Sequence, residues 1–179
     1  MPMLKHAARL LRAGLFLGFS VAMFGAWAEE AAPSLGAPLT PAELAAADWT
    51  VLPSGAGLPP GAGSAEAGAA LYVRHCQACH GVEGQGGMNG DLVGGVGSLA
   101  SAAPKKTVTS YWPYATIAFD YIRRAMPYTA PGSLTADEVY ALVAYLLSLD
   151  GVVPPETVLD AASLAAVKMP NADGFYAVE

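Results

Sequence analysis

A chain of 179 residues with 15 acidic and 9 basic side chains carries a formal charge of −6, a poor match for nucleic acid or an anionic membrane surface. Its length suits one domain, and its two cysteines cannot by themselves supply the four ligands of a structural zinc site. Only 13% of residues are charged, with abundant Ala and Gly.

Residues 1–28 read as a secretory signal. Lys5, Arg9 and Arg12 form the basic n-region, an apolar stretch runs from about Ala13 to Gly25, and Ala26-Trp27-Ala28 fits a small-x-small cleavage site. An uncleaved membrane anchor is the alternative, disfavoured because the apolar run is short of the ~20 residues a span needs; no stable insertion is expected after cleavage. Removing the signal leaves 6 basic against 15 acidic side chains, a formal charge of −9. That surface suits a partner with a basic docking face, although simple solubility explains it equally well.

Residues 29–63 hold six prolines and several glycines, and predict an extended arm with at most a short helix near Pro41 to Asp48. The compact domain is expected over 64–150. Ser64 is placed to cap a first helix, with Glu66 in its first turn. Gly68, Leu71, Tyr72 and His75 share one face of that helix. Gly68 would admit a second helix closely and Tyr72 would pack on it, while His75 reads as a partly exposed helical residue.

That helix leads into Cys76-Gln77-Ala78-Cys79-His80, the most specific signal in the chain. C-x-x-C-H is the attachment signature of a c-type haem. Cysteines three apart lie on one side of a helical turn, where both sulfurs can bond one macrocycle. The next histidine then carries an imidazole nitrogen to the iron. A thioredoxin-like dithiol would need βαβ surroundings that the pattern lacks, and a disulfide across so short a span closes too small a loop to stabilise much.

Eight glycines lie between Gly81 and Gly97, which predicts either a tight cradle beneath a flat cofactor or a mobile loop. Met88, close to His80 in sequence, is a poor candidate for the opposite haem face. A second helix is expected from Pro113 through Ile117, Ile122 and Arg124. Of the aromatics around it, Trp112 and Tyr114 are candidate donors to a haem propionate, although aromatic clusters are usually core. Arg123 and Arg124 are candidates to pair with propionates or acidic residues.

Met126-Pro127 ends that helix and holds Met126 extended, where its thioether can reach an iron. Met169-Pro170 has the same local chemistry and is the alternative sixth ligand. A final helix over Ala136 to Leu149 starts at a Thr135–Glu138 capping box. It carries Val139, Leu142, Val143, Leu146 and Leu147 on one face, predicted to cross the first helix at Gly68 and Tyr72. Residues 151–179 read as an extension with one turn near Ala161 to Ala166.

This order of attachment motif, glycine loop, Met and final amphipathic helix resembles class I cytochrome c over about Ser64 to Leu149. A closer resemblance rests on Ser110-Tyr111-Trp112-Pro113-Tyr114-Ala115, the run Phe119 to Pro127, Pro131-Gly132-Ser133-Leu134-Thr135, Asp137 to Leu142, and Met169-Pro170-Asn171 through Phe175. These segments are similar to the cytochrome subunit of Sox-type sulfane or sulfite dehydrogenases. The resemblance implies an all-α, class I cytochrome c fold; the single attachment motif implies one covalent haem c, and the flanking segments read as extended N- and C-terminal arms. Cys76 and Cys79 match the thioether positions, His80 the proximal ligand and Met126 the distal one. The resemblance further implies a periplasmic electron carrier reduced by a molybdopterin dehydrogenase subunit and oxidised by a downstream cytochrome or oxidase. No general acid, base or nucleophile constellation is visible in the sequence, so turnover by this chain alone is not expected. A generic cytochrome shuttle, and a gas-binding or peroxidatic haem protein with an open distal site, are the alternatives.

Overall fold

The computed structural model describes residues 36–175; the signal reading of residues 1–28 therefore lies outside the described residues. From Ala42 onward the described chain clusters as one unit. Its elements are α1 (Pro41–Ala47), β1 (Ala62–Ser64), α2 (Ala65–His75), α3 (Gln77–His80), β2 (Gly81–Val82), β3 (Gln85–Gly86), α4 (Val108–Tyr111), α5 (Ala115–Ala125), α6 (Ala136–Leu149), β4 (Val158–Asp160) and α7 (Ala161–Ala165).

The helix starts are set by short polar side chains. Ser64 Oγ accepts from the Ala67 amide at 3.1 Å and opens α2. At α6 the Thr135 amide donates to Glu138 at 2.9 Å while the Glu138 amide donates back to Thr135 Oγ1 at 3.3 Å. Those hydrogen bonds hold the Glu138 carboxyl below its ordinary range. Asp160 and Ser163 repeat the device at α7, and Asp150 follows α6 as its C-cap.

α6 is the centre of the core. Its predicted apolar face is buried, and so are Tyr140, Ala141 and Ala144. The burial extends beyond one face because α2, α5, β1 and β4 all pack against this helix. α2 crosses it at Gly68, where a Cβ would lie 2.0 Å from the Ala141 carbonyl oxygen. Only hydrogen fits there. The Tyr72 and Tyr145 rings meet beside the crossing at 5.4 Å, and Phe119 of α5 packs on Tyr140 at 4.5 Å.

Three expectations need correction. First, the domain is not purely helical. β1 pairs antiparallel with β4, Gly63 opposite Leu159, and β2 pairs with β3. Along β4, Val158 and Asp160 are exposed while Leu159 is buried, a period-two pattern too short to read from the sequence.

Second, the described parts of the two segments expected as extended arms pack into the domain. Val51, Leu159, Leu164 and Met169 all join the core, and Tyr140 Oη donates to the Pro59 carbonyl at 2.8 Å. Third, α5 begins at Ala115 instead of Pro113. Tyr114 is extended (φ −135°, ψ 132°) and bridges Lys168, so the helix cannot start before it. α4, a one-turn helix with its own Thr107–Ser110 capping box, was not expected from the sequence.

Candidate haem-binding site

The Cys76–His80 stretch breaks the helix that precedes it. The Cys76 amide still donates to the Tyr72 carbonyl at 2.8 Å, but Cys76 itself leaves helical geometry and α3 restarts at Gln77. The His80 amide closes this turn on the Cys76 carbonyl at 3.0 Å. Both thiols and the imidazole line one cavity of about 530 Å³, within the size range of cofactor sites. Neither cysteine is in a disulfide.

Burial, reinforced by neighbouring Cys79, pushes the Cys76 thiol up to about 11. A thiol poised as a redox nucleophile is shifted in the opposite direction. Cys76 is therefore not poised as a redox nucleophile.

His80 is oriented by the glycine loop, whose Gly90 carbonyl lies 3.3 Å from its Nδ1. A carbonyl only accepts, so Nδ1 carries the proton and Nε2 keeps its lone pair for a metal. The loop itself folds as a tight cradle. A Cβ on Gly87 would lie 2.3 Å from the Cys79 carbonyl oxygen, so the chain can fold back over the motif only with glycine there. Tyr72 Oη donates to the Gly81 carbonyl at 2.9 Å, and burial pushes this phenol up to about 12, keeping it a donor. Farther along, the Gly94 amide donates to Asp150 at 2.5 Å and Asp91 pairs with Lys105 at 2.7 Å.

In the wall of the same cavity, α5 ends where expected. Met126 is its C-cap with φ −120° and ψ 148°, extended as a residue before proline should be. Met126 lines the cavity with Pro127 and Tyr128. Met169 does not; it is 2% exposed and packs in the core. Met88 is exposed.

Trp112 lines the cavity and meets Tyr121 edge-on at 5.9 Å. Tyr114 does not line it and is 44% exposed, held by its backbone bridge to Lys168. Arg123 and Arg124 stay outside as well: Arg124 pairs with Asp120, and Arg123 lies over the Trp49 ring at 4.8 Å. The polar groups in the wall are instead Trp112, Tyr121, Tyr128, Asn89 and the half-buried His75.

The apolar walls are Leu92, Val108, Ala118, Ile122, Leu134, Leu142 and Leu146. Sequence reasoning did not single out most of these for the site. The i, i+4 pairs Ala118–Ile122 and Leu142–Leu146 were the available signal. Two thiols, an imidazole nitrogen with a free lone pair, a thioether and an apolar box make a donor set that fits a covalently attached haem.

The comparisons with known proteins agree with this chemistry. A profile of the family described as cytochrome c matches residues 65–150. A chain in the crystal structure of the sulfane dehydrogenase SoxCD from Paracoccus pantotrophus is 41% identical to this one. The match has a TM-score of 0.74 and covers 80% of this chain and 71% of that chain. No curated protein matched. On the motif, the fold and this likeness together, the chain belongs to the class I cytochrome c family of electron-transfer haem proteins and resembles a component of the Sox system.

Proposed function

We propose that this protein is the periplasmic electron-transfer subunit of a sulfur-compound dehydrogenase. It would accept electrons from a molybdopterin subunit that oxidises a sulfane or sulfite substrate and deliver them to a downstream cytochrome or oxidase. One haem c is bound through Cys76 and Cys79, with His80 as proximal and Met126 as distal ligand. The observation that carries this reading is that His80 and Met126 line one apolar cavity that also takes both motif thiols. The likeness to the sulfane dehydrogenase SoxCD supports the choice of partner.

When bound, the haem supplies reversible one-electron cycling between ferric and ferrous iron. The protein does the rest. Gly90 fixes the tautomer of His80, and the extended backbone at Met126 presents a thioether, a ligand that raises the potential. The leucine and valine walls keep water and dielectric low. Tyr128, which lines the cavity while 83% exposed, and the exposed Cys79 mark the mouth through which an edge would reach partners.

The test is the visible spectrum of the reduced, haem-loaded protein before and after carbon monoxide. It is followed by reduction of the protein by a co-purified molybdopterin subunit on adding sulfite or a sulfane compound. An unchanged low-spin spectrum and substrate-dependent reduction are expected. A shift with carbon monoxide would move the protein to gas binding or peroxide chemistry. A stable iron centre that no such subunit reduces would leave a generic electron shuttle.

A further inference from the structure

The segment before the haem domain reaches the loop that follows Met126. Residues 48–53 run along α5 and are stitched to it: the Val51 amide donates to Asp120 Oδ1 at 3.3 Å, and Thr116 Oγ1 to the Pro53 carbonyl at 3.5 Å. Val51 is buried in the core. Trp49 is fixed within this strap by its own indole N–H, which donates to the Ala46 carbonyl at 3.2 Å.

Two groups near its ring matter here. The Arg123 guanidinium, in the last turn of α5, lies over the ring 4.8 Å from its centroid. Gly132 lies near the ring's Cζ3 and Cη2 edge, where a Cβ would come within 3.3 Å and where φ is +73°. Arg123 precedes Met126 and Gly132 follows it.

The loop between Met126 and α6 closes on itself. The Ala130 amide donates to the Pro127 carbonyl at 2.8 Å, and Ser133 Oγ to the Ala130 carbonyl at 2.7 Å. Residues 128–131 are exposed, while Gly132 is half-buried. A loop so exposed is held by its ends and by whatever rests on it. Here the ends are at the cavity wall, Met126 and Leu134, and the edge of the Trp49 ring lies close beside Gly132.

We infer that Trp49 is a positioning residue for the distal ligand: it clamps the Met126 loop against α5 and keeps the thioether on the iron. The inference rests on Met126 being that ligand. A methionine–iron bond opens when its loop swings away, and an added ligand binds only the open fraction. The affinity of an added ligand for the ferric protein therefore measures the clamp, since apparent affinity scales with the competent population.

The test uses the full haem-loaded chain, with imidazole as the probe and the charge-transfer absorption of ferric methionine–iron ligation as the spectroscopic signature. Trp49→Ala is expected to bind imidazole about tenfold more tightly, equal to about 1.4 kcal/mol, and to lose signature intensity. Trp49→Phe, which keeps an aromatic ring under Arg123 but lacks the Cζ3 and Cη2 atoms nearest Gly132, gives an intermediate change in both. Arg123→Gln removes the cation over the ring without touching the loop and shifts imidazole affinity the same way by a smaller factor; it also serves if Trp49→Ala does not fold.

Wild-type imidazole affinity in either Trp49→Ala or Arg123→Gln overturns the clamp while leaving the ligand assignment intact. Met126→Ala separates the two ideas, because it must abolish the signature. If the signature survives that substitution, the assignment and the clamp fall together.

Discussion

The crossing of α2 and α6 makes a quantitative demand on Gly68. In an exposed helix, replacing glycine by alanine stabilises by about 1 kcal/mol, because alanine loses less backbone entropy. Here the new Cβ would lie 2.0 Å from the Ala141 carbonyl oxygen, 2.6 Å from its carbon and 2.7 Å from Tyr145 Cβ, against 3.4 Å for ordinary contact. The nearest atoms are backbone, which cannot rotate aside, so the helices must separate by about an ångström along a core that includes the Tyr72–Tyr145 contact.

Overpacking costs about 1–3 kcal/mol, and a clash with backbone belongs at the upper end. The net for Gly68→Ala is therefore a loss of about 2 kcal/mol after the propensity gain. For a domain of this size that corresponds to a fall in Tm of roughly 4–8 °C. Thermal and urea unfolding of the haem-loaded protein, followed by circular dichroism, measures it. Since α2 leads into Cys76 while Leu142 and Leu146 of α6 wall the cavity, the haem spectrum should shift as well. A variant as stable as wild type, or more stable, would refute the reading of this crossing.

Other outcomes follow from the site and the caps. Met126→Ala should open the iron to carbon monoxide with a modest change in stability, whereas Met169→Ala should cost about 2–5 kcal/mol as a core truncation and leave the spectrum unchanged; equilibrium unfolding and difference spectra on both variants separate the roles. Thr135→Ala removes one half of the α6 capping box and should cost about 1 kcal/mol in urea unfolding.

Because the folded Glu138 carboxyl lies below its ordinary range, the unfolded chain binds more protons there, and stability rises with pH. That contribution is present above the ordinary carboxylate value and disappears as pH falls through the lowered one. Thr135→Ala should flatten the acid limb of the stability profile. Tyr72→Phe, which leaves the Gly81 carbonyl without its phenol donor, should cost about 1 kcal/mol and loosen the glycine loop, read as faster amide exchange around Gly81.

What could be read from the sequence was local. Ser64 and Thr135 cap helices through atoms three residues away, and Pro127 holds Met126 extended through a covalent neighbour, so no distant contact is needed to anticipate them. The Cys76–His80 motif is likewise confined to one turn, and Gly68 announced a close crossing because it is the smallest residue on a helical face that also carries Leu71 and Tyr72.

Tertiary structure alone decided the rest. Ala62–Ser64 and Val158–Asp160 are strands only because each pairs with the other where both pack on α6; three residues carry too little periodicity to declare themselves. Arg123 and Arg124 offered charge to any acid, and the fold spent them on Trp49 and Asp120, outside the cavity. Met126-Pro127 and Met169-Pro170 are the same dipeptide with the same backbone preference. Only the packing of α5, which sets the first at the cavity wall, and the burial of the C-terminal segment, which takes the second into the core, distinguish them.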